Sequence, residues 1–348
     1  MALRLPFFPP KRESMTDVSS SRLAEIIEGF QATRILVVGD VLLDTYLSCK
    51  ALGVANEAPV PLLEIGSQTH TPGGAGNVAL NLARLGVKTQ LVGTAGEDAE
   101  GEILRQLLQE AGADFQVLAV QRPTSHKTRI QSGQHYYLRV DEEEMAPLNS
   151  ADRKALVALI QKGLSSAEAV VISDYDKGMM SASLAETVEE LAEQKDLPIF
   201  ADLKPRNARD WHKLSLITPN LTEALVLLNR PTCAESFDPG EMAVSLSRQF
   251  RCDVVLKLSS EGIVAATTAG ERFRVSARCQ HPKNVSGAGD TVLATLGAAM
   301  TRGASLPEAA MLANLAAALA VDHDETYAVS AEELRAAARS QQGFRFEV

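Results

Sequence analysis

Asn284-Val285-Ser286-Gly287-Ala288-Gly289-Asp290-Thr291 is the stretch on which the reading of this 348-residue chain turns. It follows a short strand-like run, Arg272–Ala277, and opens a long Ala/Leu-rich helical pattern from Thr291 to about Thr301. Gly287 and Gly289 allow a sharp turn in which successive N–H groups converge. The helix start adds its free N–H groups and the positive end of its dipole. Such a place suits an anion, a phosphoryl group above all. Asp290 sets an acid on top of it. A carboxylate there repels an anionic ligand unless it has a task, such as taking a proton from an attacking hydroxyl. The plainer alternative is a helix N-cap. The local sequence leaves both open.

Working outward, Ile35–Val38 is a continuous apolar run of the kind buried on both faces of a parallel sheet. It ends in Gly39-Asp40-Val41-Leu42-Leu43-Asp44, so Asp40 and Asp44 are expected just past the strand, where open α/β sheets bind ligands. Turn chemistry is the alternative for each. Val60–Ile65 reads as a strand, followed by Thr71-Pro72-Gly73-Gly74-Ala75-Gly76-Asn77 and a helix through Leu85. Gly74–Ala79 fits the GxGxxA dinucleotide pattern but stands too far from its strand. A Gly-rich helix start whose backbone and Asn77 amide touch a polyhydroxylated ligand is the better reading; a tight turn capped by Asn77 is the alternative.

Residues 88–119 read as strand, helix and strand. Thr124–Gln131 and Gln134–Val140 then read as an antiparallel pair carrying Lys127, Arg129 and Arg139. With the segment around Ala51–Ile65 they suggest a small β-subdomain. The three cations are a candidate phosphate clamp, or simply solvent-facing strand residues. From residue 150 onward strands and helices alternate: helix 151–163, strand Ala169–Ser173, helix 181–194, strand Pro198–Ala201, strand Leu214–Thr218, strand Val254–Leu258, a hairpin over 263–276, and helices over 291–301, 305–321 and 331–339. This alternation implies right-handed crossovers and a parallel sheet wrapped by helices. The polar clusters all fall just after strands, at one edge of that sheet.

Composition narrows the partners. The net charge is −10, and no Lys/Arg run is dense enough for a nucleic-acid footprint. A surface of that sign also disfavours anionic membranes, so a phosphorylated substrate has to be met by a few placed cations. Cys49, Cys233, Cys252 and Cys279 are scattered without a CxxC, which argues against zinc and against a disulfide framework and fits a reducing, cytoplasmic setting. No apolar run reaches membrane-spanning length. Residues 1–20, broken by Pro6, Pro9 and Pro10, read as a disordered leader ahead of one domain over 21–348.

Taken together the clusters fit phosphoryl transfer to a hydroxyl. GxxxxGK[ST] is absent, as are the HRD and DFG motifs of protein kinases. The Gly287–Asp290 loop can supply cradle and base together. Asn220 and Glu223, three apart at a helix start, can hold Mg²⁺ through its waters, or can simply cap that helix. Asp40, Asp44, Gly73, Gly74 and Asn77 can fix sugar hydroxyls, and Lys177, with the basic residues of the β-subdomain, can meet a phosphate already on the substrate.

Gly73-Gly74-Ala75-Gly76-Asn77, Asn220-x-x-Glu223 and Gly287-Ala288-Gly289-Asp290 resemble the ribokinase (PfkB carbohydrate kinase) family over about residues 33–340. The resemblance implies a ribokinase-like three-layer α/β/α fold with a mostly parallel sheet and a small β-sheet lid. It makes Asp290 the catalytic base and gives the anion hole to Gly287, Ala288 and Gly289. It implies ATP and Mg²⁺ and leaves room for a monovalent cation. On the nucleotide side it places Lys257, Ser259, Glu261, Gly262 and Asn314; on the sugar side it adds Asn56, Arg139 and Asp176. Within the family, Gly39–Tyr46, Glu57–Pro61, Thr124-x-x-Lys127-x-Arg129, Arg139-x-Asp141-x-Glu143 and Ser173–Gly178 are similar to the heptose 7-phosphate kinases of bacterial lipopolysaccharide synthesis. Such enzymes phosphorylate O1 of D-glycero-D-manno-heptose 7-phosphate to the 1,7-bisphosphate on the way to ADP-heptose. Many carry an adenylyltransferase domain with an HxGH motif; with none here, the expectation is a stand-alone kinase. The lid, about 45–65 and 120–140, is implied to serve as a homodimer contact. Departures are Ser286 where Thr is usual and Asp202-Leu203-Lys204 where Asp-Pro-Lys is common. Alternatives are a fructokinase or ketodeoxygluconate kinase of the same fold, or a non-catalytic sugar- or nucleotide-binding regulator.

Overall fold

The computed structural model describes residues 15–111, 114–133, 135–231, 237–279, 281–340 and 344–347. It opens with β1 (Met15–Val18), α1 (Ser20–Glu28) and β2 (Arg34–Gly39). Next come β3 (Val41–Val54), β4 (Pro61–Gly74), α2 (Ala75–Arg84), β5 (Lys88–Gly96), α3 (Ala99–Glu110) and β6 (Asp114–Val120). The hairpin of β7 (His126–Ser132) and β8 (His135–Glu142) leads to α4 (Ser150–Leu164), β9 (Ala169–Ser173), α5 (Ala182–Glu193), β10 (Ile199–Asp202) and α6 (Pro205–Ala208). Then follow β11 (Leu216–Ile217), α7 (Leu221–Leu227), α8 (Pro239–Phe250), β12 (Asp253–Lys257), β13 (Ile263–Ala266) and β14 (Arg272–Val275). The chain closes with α9 (Ala288–Thr301), α10 (Leu306–Ala320), α11 (Ala331–Arg339) and β15 (Phe344–Glu347).

Among the described residues, eleven strands form one sheet in the order β1-β15-β14-β13-β12-β11-β10-β9-β2-β5-β6. The run from β12 to β6 is parallel, and β13, β14, β15 and β1 extend it antiparallel. Side chains alternate across a strand, so β2 feeds both faces: Ile35 and Val37 enter the core packed by α1, α2, α3, α9, α10 and α11, and Leu36 and Val38 enter the core under α4, α5, α7 and α8. The result is the expected three-layer α/β/α arrangement. In α9 every residue from Asp290 to Ala299 is buried, as an Ala/Leu pattern without a polar face requires of an internal helix.

A second sheet, β4-β3-β7-β8, stands apart from the first. Its strands fall within residues 41–74, beyond the expected 45–65 at both ends, and within 126–142, against the expected 120–140. The difference arises because β3 starts directly after Asp40, so Asp44 lies within a strand, paired with Thr71 and Lys127, and not in a loop.

The N-terminal expectation also changes. Met15–Val18 pairs with Phe344–Glu347, and Ser20 opens α1 with Ser19 as its cap, so order begins before residue 20. The pairing partner comes from the far end of the chain, which local sequence does not reveal. The remainder of the expected leader, residues 1–14, lies outside the described residues, as does Cys233. No helix among the described residues is long and apolar enough to cross a membrane.

Candidate active site

From β2 the chain adds β5 and β6 on one side and β9 and β10 on the other, so a crevice opens where strand order reverses, beyond the ends of β2 and β9. Asp40 and the segment Asp174–Gly178 occupy it. The Asp40 N–H donates to the Ser173 carbonyl at 3.1 Å. Asp40 is buried; its Oδ2 accepts from the N–H groups of Tyr175 (2.9 Å) and Lys177 (3.2 Å), while Oδ1 is buried with no hydrogen-bond partner. Burial pushes this carboxyl upward, against the pull of those two N–H groups and of the Arg122 charge. An unpaired buried carboxylate oxygen is costly unless a donor arrives, which suits a ligand hydroxyl. Asp174 has a different task. It accepts from Asn207 Nδ2 at 3.1 Å and from the N–H groups of Lys204 (3.1 Å) and Asp176 (2.8 Å), stapling two strand-end loops together. Burial and then the neighbouring Asp40 raise its carboxyl to about 6.

Above the crevice stands the start of α9. Its N-cap is Gly287, not Asp290, at a left-handed φ of 79°. A Cβ there would lie 2.6 Å from Asn77 Nδ2, so only glycine fits both the turn and the space. Asp290 is in the first turn, buried, and its side chain does no capping. Its Oδ2 accepts from Asn77 Nδ2 and its Oδ1 from the Tyr175 hydroxyl, each at 2.8 Å. Asn77 belongs to α2, whose N-cap is Gly74, so it caps nothing either. The direction of its amide is fixed by a chain of hydrogen bonds. The Thr291 hydroxyl donates to Asn81 Oδ1 (3.0 Å), and Asn81 Nδ2 donates to Asn77 Oδ1 (3.1 Å), leaving Asn77 Nδ2 to face Asp290. Burial lifts the Asp290 carboxyl to about 7; Asn77 and Tyr175 restrain it, Asp202 adds to the rise and Lys257 opposes it. A carboxyl that titrates near neutrality can take and return a proton.

On the far side of Asp290 a cleft of about 590 Å³ runs between α9, α10 and the ends of β10 and β12. One end is apolar, with Ile263, Val285, Val292, Ala317 and Val321. The other end holds Asp202, Lys204, Asn220, Glu223 and Lys257. Lys257 Nζ pairs with Asp202 Oδ2 at 2.5 Å, and a Cβ on Gly289 would lie 3.3 Å from that ammonium. The cation therefore adjoins the helix start. Asn220 and Glu223 form a capping box, each side chain bonding the other's N–H at 2.9 Å, and Glu223 Oε1 accepts from Lys204 Nζ at 2.5 Å. The capping alternative is thus realised. Burial opposes ionisation of Glu223, and Lys257 and Lys204 outweigh it, so its pKa is lowered. Ser259 takes a left-handed φ of 53°, Glu261 pairs with Arg274 (3.0 Å), Gly262 lines the cleft, and Asn314 Nδ2 donates to the Ser276 carbonyl (2.8 Å). Among the described residues no group of three His, Cys, Asp or Glu side chains is placed to hold a metal. The donor set still fits a hydrated Mg²⁺ carried by nucleotide phosphates, because Asp202 Oδ1 is buried in the cleft without a partner and can receive a metal-bound water, beside Glu223.

On the crevice side the expected cations are found, each facing a carboxylate. Lys127 and Lys177 converge on Glu143, at 2.7 and 2.5 Å. Burial opposes ionisation of Glu143, but the two ammonium groups hold its pKa down. Arg129 pairs with Asp44 (2.5 Å) with its guanidinium over the Tyr46 ring, and Arg139, more than half exposed, pairs with Asp141 (2.8 Å). Gly73 packs on Asp44, where a Cβ would meet Oδ2 at 2.4 Å. Two expected residues are not brought to the crevice. Asn56 is exposed in the β3–β4 connection, and Asp176 turns toward Arg206 at 3.7 Å. Tyr175, Asp202, Asn81 and Glu143 are the residues that sequence reasoning passed over. Tyr175, Glu143 and Asp202 lie inside the motifs that carry the family resemblance, whereas Asn81 carried no signal, being an ordinary helical position.

The pfkB family carbohydrate kinase profile matches residues 32–333. Among curated proteins, the bifunctional protein HldE of Caulobacter vibrioides is 37% identical over 325 residues, which is 92% of this chain and 66% of that protein. HldE of Pseudomonas aeruginosa strain PAO1 is 36% identical over 316 residues, 90% of this chain and 65% of that protein. The chain thus spans slightly under two thirds of the length of these relatives. Among solved structures, phosphofructokinase-2 from Escherichia coli in complex with potassium superposes with a TM-score of 0.73 at 20% identity, over 88% of this chain and 99% of the other. Arabidopsis thaliana ribokinase complexed with ribose and ATP gives 0.68 at 21%, over 88% and 99%. With a glycine-capped helix start, a buried acid beside it and a cleft along that helix, this chain belongs to the pfkB family of carbohydrate kinases.

Proposed function

We propose that the sugar is itself phosphorylated and that the reaction is transfer of the ATP γ-phosphoryl group to O1 of D-glycero-D-manno-heptose 7-phosphate, giving the 1,7-bisphosphate and ADP. The observation that carries the reading is the pair Lys127 and Lys177 closing on one carboxylate, with Lys177 two residues from Tyr175 and its peptide N–H on Asp40. Two ammonium groups around one anion make a seat that a sugar phosphate can take over from Glu143. The motif resemblance to heptose 7-phosphate kinases and the HldE relatives support the same substrate.

In this reading the sugar hydroxyls meet Asp40 and Asn77, and the acceptor hydroxyl hydrogen-bonds to Asp290. Asp290 takes the hydroxyl proton as the oxygen bonds to phosphorus and the bond to the ADP oxygen breaks. The N–H groups of Gly287–Gly289 and the Lys257 ammonium face the charge that builds on the moving group. Mg²⁺, when bound with the nucleotide, would neutralise phosphate charge, with Asp202 and Glu223 receiving its water. The apolar end of the cleft, with Asn314 and Gly262, takes the base.

One observation favours a second reading. Each of the four expected cations already has a carboxylate partner, which equally suits a neutral sugar of the fructokinase or ketodeoxygluconate kinase type. A coupled ADP assay across phosphorylated and free sugars separates the two. The heptose reading expects turnover that requires the 7-phosphate; equal turnover of unphosphorylated hexoses overturns it.

The four-stranded sheet is the proposed lid and homodimer contact. The sheet and its β3–β4 connection expose Leu52, Val54, Val60, Leu62, Ile65 and Leu138, apolar side chains that a partner would cover. Sedimentation of Ile65→Asp/Leu138→Lys tests this; an unchanged dimer, or a wild-type monomer, overturns it.

A further inference from the structure

We propose that Tyr175 is a positioning residue for Asp290, its phenol proton fixing the carboxylate so that the free lone pairs face the acceptor hydroxyl. The assignment rests on Asp290 being the proton acceptor of the proposed reaction. Tyr175 works with both ends of its structure. Its hydroxyl donates to Asp290 Oδ1 at 2.8 Å, and its peptide N–H donates to Asp40 Oδ2 at 2.9 Å. One residue therefore spans from the base to the carboxylate that meets the sugar, and sets the spacing between them. The segment that carries it is anchored from three sides. The Asp174 carboxylate ties it to Lys204 and Asn207, the Lys177 N–H reaches Asp40, and the Arg122 guanidinium takes the Lys177 carbonyl. On its other side the Tyr175 ring lines the nucleotide cleft, with Lys204 Nζ 5.2 Å from the ring centroid.

The phenol has one role in this setting. Burial, and then the charge of Asp290, push its pKa well up, so it stays protonated and remains a donor throughout the working range. Asp290 is therefore gripped at Oδ1 by Tyr175 and at Oδ2 by Asn77. Each carboxylate oxygen keeps a second lone pair, and only these are open to an incoming hydroxyl. Without the phenol the carboxylate is held at one oxygen and can rotate about χ2. A hydrogen bond to the ionised form also favours ionisation, so its loss makes Asp290 harder to deprotonate. The other charged groups bearing on Asp290 are Asp202, which opposes ionisation, and Lys257, which favours it; both stay in place when only the phenol oxygen is removed.

Tyr175→Phe tests the assignment through the pH profile of ADP formation. The acid limb of kcat/KM is expected to move up by about one pH unit, so that the loss is roughly fivefold greater at pH 7 than above about pH 9, where only the pH-independent loss from the freed carboxylate remains. KM for ATP is expected to change by less than about twofold. Site-specific 3-fluorotyrosine at 175, a stronger donor of nearly the same shape, is expected to move the limb down. That variant keeps the test open should the phenylalanine variant fail to fold. A uniform loss at every pH, or a limb unmoved in both variants, overturns the proposal. Infrared titration of the Asp290 carboxyl, taken as a difference against Asp290→Asn, follows the same shift without turnover. If no sugar is phosphorylated at all, the kinase reading fails while this titration still decides the role of Tyr175.

Discussion

Asp290→Asn is expected to cut turnover by orders of magnitude and, above neutrality, to make the protein more stable. The carboxyl titrates at about 7 in the folded chain against 3.8 as a free side chain, because burial penalises its charge. Between those pH values the folded chain keeps a proton that the unfolded chain has released. Stability therefore falls as pH rises, by about 1.4 kcal/mol per unit and roughly 4 kcal/mol in all. Asparagine carries no charge and removes that slope. It keeps the Tyr175 contact through its carbonyl oxygen but sets its own NH₂ against Asn77 Nδ2, a mismatch of about 1–3 kcal/mol. The variant should thus be less stable than wild type near pH 4 and more stable by roughly 1–3 kcal/mol at pH 8. Urea unfolding of both proteins at the two pH values reads the crossover directly, since titrations common to both cancel. In parallel kcat should fall by about 10²–10⁴-fold while nucleotide affinity changes little. A stability difference that is flat with pH, or turnover near wild type, would refute the reasoning.

Gly287→Ala should cost about 1–2 kcal/mol of backbone strain at φ 79° and push Asn77 off Asp290, seen as a lower melting temperature with at least about tenfold loss of kcat. Lys257→Met leaves Asp202 without its partner beside the helix start; KM for ATP should rise about tenfold or more, and an unchanged KM would remove Lys257 from the nucleotide side. Glu143→Gln releases Lys127 and Lys177, so KM for the sugar phosphate should fall by about tenfold while neutral sugars respond little. A rise in that KM would show that Glu143 itself contacts the substrate. For the wild type, kcat/KM should decline below about pH 7 as Asp290 takes up a proton, measured by ADP release under saturating Mg²⁺.

What could be read from sequence was whatever a short window specifies. Ala169–Ser173 is apolar throughout and bounded by polar residues, and it is β9 to the residue. The Gly-rich helix starts at Gly74 and Gly287 carry their own conformational signature. Asp290 stayed ambiguous because a cap and a base occupy neighbouring positions at a helix start; with Gly287 as the N-cap, the capping alternative is removed. The helix α8 has no counterpart in the sequence reading, although Asp238-Pro239 is a recognisable cap followed by an N1 proline. The residues missed in the site depend on distant partners. Tyr175 meets Asp290 across 115 positions and Lys257 meets Asp202 across 55, separations at which no local pattern is informative. The same holds for two cations of the second sheet, since Lys127 and Arg129 were visible as residues while Glu143 and Asp44, the latter 85 positions away, were not readable as their partners; Arg139, by contrast, pairs locally with Asp141.

The long β3–β4 ribbon has a consequence for how this protein can vary. Its pairing slips between Ser48 and Cys49 and again between Ala51 and Gly53. Each slip resets the inward and outward phase of the side chains beyond it. Asp44 and Gly73, at the root, and Val54 and Leu62, at the tip, therefore obey separate phases. Residues can be exchanged or inserted past Gly53 without turning any root side chain to the wrong face. The tip is free to follow whatever surface it meets, while the root keeps its alignment with β7.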